Sequence, residues 1–174
     1  SSSINGLLYV RGQHEDFDDW KALGNQGWGA EEVLPYFKRS EDQVRGADPW
    51  HGVGGPLTVS DVSHPDELTD AFVSAAEQAG IQRNRDFNGE RQEGAGYYQL
   101  TTRKWRRAST AAAFLKPIRD RANLTVRTGA LASRVLMQGR RATGVEYLID
   151  GHLQQALAAR EVILCGGAVN SPQL

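Results

Sequence analysis

Cysteine and methionine each occur once in 174 residues. A single cysteine excludes an intrachain disulfide framework. Cys165 stands in the apolar run Val162-Ile163-Leu164-Cys165, which predicts a buried small hydrophobe and not a nucleophile. Runs of that kind are the longest apolar stretches, far short of the roughly 20 residues that cross a bilayer. Neither sign of charge is in excess. Twenty basic and 21 acidic residues leave a net charge of -1 and a pI near 6.4, with no electrostatic footprint for nucleic acid or an anionic membrane. Histidine is sparse, and His14, His51, His64 and His152 have no metal-ligand spacing, so no metal is expected. His51, beside Trp50 in a glycine-rich loop, reads as a loop organiser. No Gly-x-Gly-x-x-Gly follows a predicted strand. Gly52-Val53-Gly54-Gly55 and Gly94-Ala95-Gly96 have the wrong spacing and read as loop glycines.

With 40% hydrophobic and 24% charged residues, the composition is that of an ordinary globular protein, long enough for one good core or two small ones. The first half reads as helices and loops. Phe17, Trp20 and Leu23 share a face of a helix over 15–23, with Gly24 closing it. A second helix covers 31–41, with Val33, Tyr36 and Phe37 on one face and Pro35 bending its start. A Gly/Pro-rich loop (46–56) leads to a short strand at 57–60. The clearest helix is 65–79, where Leu68, Ala71, Phe72, Ala75, Ala76 and Ala79 recur at the 3.6-residue period. Ser63 with Asp66 forms its capping box, and Gly80 ends it. Residues 83–96 read as a polar loop and 97–102 as a strand. Arg103, Lys104, Arg106 and Arg107 around Trp105 read as a hairpin tip. Ser109 caps a helix over 110–121, with Phe114, Leu115 and Ile118 inward and Pro117 a local disturbance.

Beyond Asn123 the period changes to that of strands. Residues 124–127, 131–137, 142–149 and 153–158 are expected as strands, with turns at Gly139 and Asp150-Gly151. Glu161–Cys165 reads as a continuous apolar strand, followed by Gly166-Gly167 and a helix start at Ser171-Pro172. Strand, glycine turn and helix together present backbone N–H groups where nucleotide phosphates bind in α/β folds. The chain opens without Met on Ser1-Ser2-Ser3 and stops within that helix's first turn, so an internal piece of a longer protein is expected.

Two stretches resemble signatures of the glucose–methanol–choline (GMC) oxidoreductase family. The first is Ser1-Ser2-Ser3-Ile4-Asn5-Gly6-Leu7-Leu8-Tyr9-Val10-Arg11-Gly12, with Asp18 six residues on; the second is Gly167-Ala168-Val169-Asn170-Ser171-Pro172-Gln173-Leu174. Between them Leu34-Pro35-Tyr36-Phe37, His51-Gly52, Asp86-Phe87-Asn88-Gly89, Arg106-Arg107-Ala108-Ser109-Thr110 and Gly144-Val145-Glu146-Tyr147 fall in the order of the family's choline-dehydrogenase-like branch. The resemblance covers the whole chain.

It implies an α/β (α+β) chain: part of an FAD-binding Rossmann-like domain and part of an antiparallel-sheet substrate domain. Residues 1–56 would supply the flavin-contacting segment and lid helices, 57–121 the partial substrate domain, and 122–174 the returning strands of the FAD domain. By the same resemblance Asn5 and Gly6 contact the isoalloxazine, Ser1 lies beside the diphosphate turn, and the Val135 backbone pairs with adenine. Gly166 and Gly167 form the turn after the strand beside the cofactor. Glycine permits close backbone approach, and a side-chain amide can both donate and accept. The implied activity is oxidation of a small-molecule alcohol by hydride transfer to flavin N5, with the catalytic histidine pair outside the chain, so the fragment alone is expected to be inactive. Alternatives of other classes are a hydroxynitrile lyase and a non-catalytic binding protein on the same fold. Some relatives carry, just before the matching asparagine, a histidine bonded to the flavin; here that position is Ile4, which implies non-covalent FAD. Location in the cytoplasm or at the periphery of a bacterial inner membrane is expected. The 161–165 strand, left without neighbours, is expected either to recruit another copy of the chain or to leave 162–174 poorly ordered.

Overall fold

The structure, a computed structural model, describes residues 2–174. It falls into two units, the first ending at Asp120 and the second running from Arg121 to Leu174. In the first, helix α1 (His14–Ala22) starts where the Asp16 carboxylate reaches back to the Gln13 N–H at 2.8 Å. Gly24, with φ of 100°, closes it in the left-handed region that glycine tolerates. Helix α2 (Ala30–Ser40) opens with Glu32 accepting from the Gly29 N–H at 2.8 Å and continues through Pro35. The two helices are tied by Lys21–Glu32 at 2.8 Å, by the Ala30 N–H on Asp18, and by Phe17 packing against Phe37.

Strand β1 (Glu41–Gln43) pairs in parallel with β2 (Leu57–Val59), and the Gly-rich loop lies between them. Helix α3 (Glu67–Gln78) follows, capped by Asp66 alone, which accepts from the Leu68 and Thr69 N–H groups; Ser63 takes no part in the cap. The face on which these apolar residues recur is in large part exposed: Leu68 is 80% and Phe72 72% accessible, while Val73 is buried. No other described residue covers that face. Of the strand expected over 97–102 only Thr102 joins a strand; residues 97–101 are held by isolated bridges at Leu100, to Leu8 and to Ser60. The basic cluster forms a tight hairpin, β3 (Thr102–Arg103) and β4 (Arg106–Arg107), with Lys104 and Trp105 at positive φ in its tip. The helix expected over 110–121 is instead a wide turn at Ala111–Leu115 and a 3-10 turn at Lys116–Ile118. Pro117 explains the break: it has no N–H, and its ring crowds the preceding turn, so Lys116 reaches back five residues to Ala111 O. Ala113 is buried there and Phe114 is exposed, the reverse of expectation for Phe114.

The second unit is an antiparallel meander of β5 (Leu131–Gln138), β6 (Arg141–Ile149) and β7 (His152–Leu157). Both tight turns lie where the turn residues put them; Gly139, Asp150 and Gly151 all have positive φ. Residues 124–127 and Glu161–Cys165 do not form strands. An apolar run becomes a strand only when a ladder partner takes its N–H and C=O groups, and none is available among the described residues. The edge expected to recruit another chain is therefore not formed, and Cys165 is exposed instead of buried. Helix α4 (Gly167–Gln173) begins four residues before the expected Ser171 start.

Candidate functional site

The first segment of the chain is held by bonds that reach far along the sequence. The Tyr9 N–H donates to Gln99 O at 2.9 Å and the Thr101 N–H to Leu7 O at 2.8 Å. The Arg11 N–H donates to Asn88 Oδ1 at 2.7 Å, and Asn88 Nδ2 returns a bond to Tyr9 O. Gln92 Nε2 donates to Arg11 O. Leu7 has φ of 70°, a costly conformation for a branched side chain. The Leu7 N–H on Asn5 Oδ1 (3.2 Å) and the two Thr101 groups on Leu7 O hold it there. At the turn itself the Ser2 hydroxyl lies 2.8 Å from Thr110 Oγ1 and accepts from the Thr110 N–H. Arg107 Nη1 donates to Asn5 Oδ1 at 2.6 Å and to Ser2 O at 3.2 Å.

Behind this segment lies a core of alternating charge. Arg11 Nη2 meets Glu41 at 2.8 Å; Glu41 meets His51 Nδ1 at 3.1 Å; His51 Nε2 meets Asp86 at 2.8 Å. Arg11, Glu41 and His51 are buried. Gln43 and Gln99, also buried, exchange amide bonds at 2.8 Å beside them. Burial alone would lower the His51 pKa, but its bonds to Asp86 and Glu41 outweigh that and push it up to about 9. Burial likewise opposes ionisation of Asp86, yet His51 and the Asn88 N–H hold its carboxyl below the usual range. The imidazolium thus gives one N–H to each carboxylate. Asp48, His51 and Asp86 cluster closely enough to suit a cation. Asp48 Oδ1 nonetheless already accepts from the Trp50 and His51 N–H groups, and a charged His51 has no lone pair to offer a metal. The guanidinium of Arg11 lies over the rings of Tyr9 and Phe37, at 5.7 and 5.2 Å. Sequence reading finds His51 as a loop organiser but not the chain of charges, whose members stand at 11, 41, 51 and 86.

Of the residues singled out by resemblance, Ser1 lies outside the described residues. Asn5 and Gly6 are exposed in the turn, and a side chain at Gly6 would meet only open space. Val135 lies on β5, which has β6 on one side and no strand on the other among the described residues. The N–H of Gly166 donates to Ser171 Oγ at 2.8 Å, and Gly167 has φ of 86° with open space beside it. A cleft of about 670 Å³ brings Gly166 and Asn170 opposite Leu131, Ala132 and Ser133 at the start of β5. Asn5 and Gly6 thus belong to the first unit, the other three to the second. Arg107 was not anticipated at this site; the Arg106–Thr110 motif marks it, but its contact with Asn5 spans 102 positions.

The family model for GMC oxidoreductases matches residues 1–174. Over the whole chain the sequence is 46% identical to the mitochondrial choline dehydrogenase of Mus musculus, and 45% to the oxygen-dependent choline dehydrogenase of Sinorhizobium fredii. The chain spans 29% and 32% of those relatives' lengths. Among solved structures, pyridoxine 4-oxidase from Mesorbium loti matches 99% of the chain at a TM-score of 0.91 and 33% identity, over 34% of its own length. An FAD-dependent oxidoreductase from Chaetomium thermophilum matches 92% at 0.83 and 25% identity, over 30% of its own length.

Proposed function

Because this chain belongs to the GMC oxidoreductase family, we propose that it forms part of an FAD-dependent oxidoreductase that oxidises a small-molecule alcohol, choline first among the substrates to test. The observation that carries this reading is 46% identity to a choline dehydrogenase over the full 174 residues. The residues present fit the cofactor. Gly6 leaves room for a flat ring against the backbone, and Asn5 Nδ2 has no partner among the described residues. The free side of β5 leaves backbone groups near Val135 open to an adenine edge. In this proposal Ser1, Asn5, Gly6, Val135, Gly166 and Gly167 hold the FAD, which when bound accepts the substrate's hydride at N5. The proton is taken by a histidine outside this chain, paired with a second histidine or an asparagine. His51 is unsuited to that task, since it is already charged with both N–H groups on carboxylates. His14 stacks on Trp50 and His64 on Trp105.

The test is anaerobic mixing of choline with the full-length protein that contains this segment. Bleaching of the oxidised-flavin absorbance is expected. A yellow protein that no alcohol bleaches, but that cleaves a cyanohydrin, would overturn the oxidoreductase reading. Ile4 offers no nucleophile, so acid precipitation should release the chromophore into the supernatant. Flavin retained in the pellet would show attachment elsewhere.

A further inference from the structure

Asn5 Oδ1 receives two hydrogen bonds, from Arg107 Nη1 at 2.6 Å and from the Leu7 N–H at 3.2 Å. Both partners can only donate. Turned the other way, the amide would set its NH2 against a guanidinium and a backbone N–H, so the partners themselves fix which end is oxygen. An isolated asparagine can donate or accept; this one has its acceptor filled. Its Nδ2 is exposed in the same turn as Gly6, beside open space.

We propose that Arg107 is a positioning residue for the flavin: by occupying Oδ1 it makes Asn5 a dedicated donor to an acceptor atom on the edge of the isoalloxazine. The inference rests on the FAD reading above. Arg107 is itself held in register by its place in the hairpin, opposite Thr102, and by the next residue, Ala108, whose N–H donates to Thr101 O at 2.9 Å. Three residues on, Thr110 grips Ser2 from the same side, so the turn is clamped at both ends by one stretch of chain. A hydrogen bond whose donor group is polarised by a guanidinium is stronger towards an acceptor that gains negative charge. Reduction adds electron density to the flavin ring. The arrangement therefore favours the reduced cofactor over the oxidised one and raises its reduction potential.

The experiment measures the two-electron potential of the full-length holoprotein by dye equilibration, with thermal midpoint and bound FAD per chain recorded alongside. Arg107→Met should weaken reduction by about tenfold in equilibrium constant, a fall of about 30 mV for a two-electron couple. Arg107→Lys, which keeps a charge and a donor, should recover part of that loss. Asn5→Asp keeps an acceptor for Arg107 while removing the Nδ2 donor, and should lower the potential with little change in thermal midpoint. Arg107→Lys serves as the deciding variant if Arg107→Met does not fold, and its potential should still lie below that of wild type. Potentials equal to wild type in Asn5→Asp, or in both Arg107 variants, would overturn the proposal. A wild-type protein that carries no flavin would instead overturn the cofactor reading beneath it.

Discussion

His51 is the residue on which pH acts most directly. Its pKa stands at about 9 in the folded chain against an ordinary value near 6.5. Folding therefore favours the protonated ring. That contribution is complete below pH 6.5 and is lost as the pH rises through 9; fully expressed, it amounts to about 3 kcal/mol. Asp86 works in the opposite direction: its lowered pKa adds stability above the ordinary carboxylate range, lost as the pH falls. Stability of the first unit should be greatest near pH 5 to 6.5 and decline steadily to pH 9.5. All four tryptophans, Trp20, Trp28, Trp50 and Trp105, lie in this unit, so their fluorescence reports its unfolding selectively. Urea midpoints across that range check the expectation, and His51→Gln should flatten the slope. A wild-type midpoint unchanged between pH 6 and 9.5 would show that folding does not raise the His51 pKa.

At the scale of elements, α2, β1 and the glycine-rich loop approach too closely for side chains. A Cβ at Gly52 would lie 1.9 Å from Lys38 O, and one at Gly55 2.4 Å from Glu41 O. Gly52→Ala should cost about 3 kcal/mol, because the obstruction is backbone and cannot swing aside. Gly24→Ala, at positive φ but facing open space, should cost about 1 kcal/mol. Equal urea midpoints for the two variants would contradict the packing argument. The sequence signals at Gly52–Gly55 identify a loop but not this crowding, since Lys38 and Glu41 reach it only through the fold. The same contrast runs along the chain. The β5–β7 meander is legible because alternation and an Asp-Gly turn are local instructions. Glu161–Cys165 is misread because its apolar pattern specifies burial without naming a partner. At the site, the family resemblance points to Asn5 and Gly6, whereas Arg107 needs the hairpin's place in space.

On the scale of the whole molecule, the chain changes unit at Arg121, between the exposed turn at Arg119-Asp120 and the irregular 124–130 stretch. Exposed arginines at 119 and 121 make this the expected first site of brief trypsin treatment. Mass spectrometry should find complementary pieces ending near residue 120 before any cut within β5–β7. Early cleavage inside the meander would mean that the second unit is the less protected part. The charged core of the first unit sets a different kind of limit, on which sequences can reach this one. Arg11, Glu41, His51 and Asp86 alternate in sign, so removing a member leaves its neighbour's charge buried and uncompensated. Removing two adjacent members restores the balance. Viable substitution here proceeds in even steps: Arg11 and Glu41 should drift together across divergent relatives, as should His51 and Asp86, and a lineage that has lost one of a pair should have lost its mate.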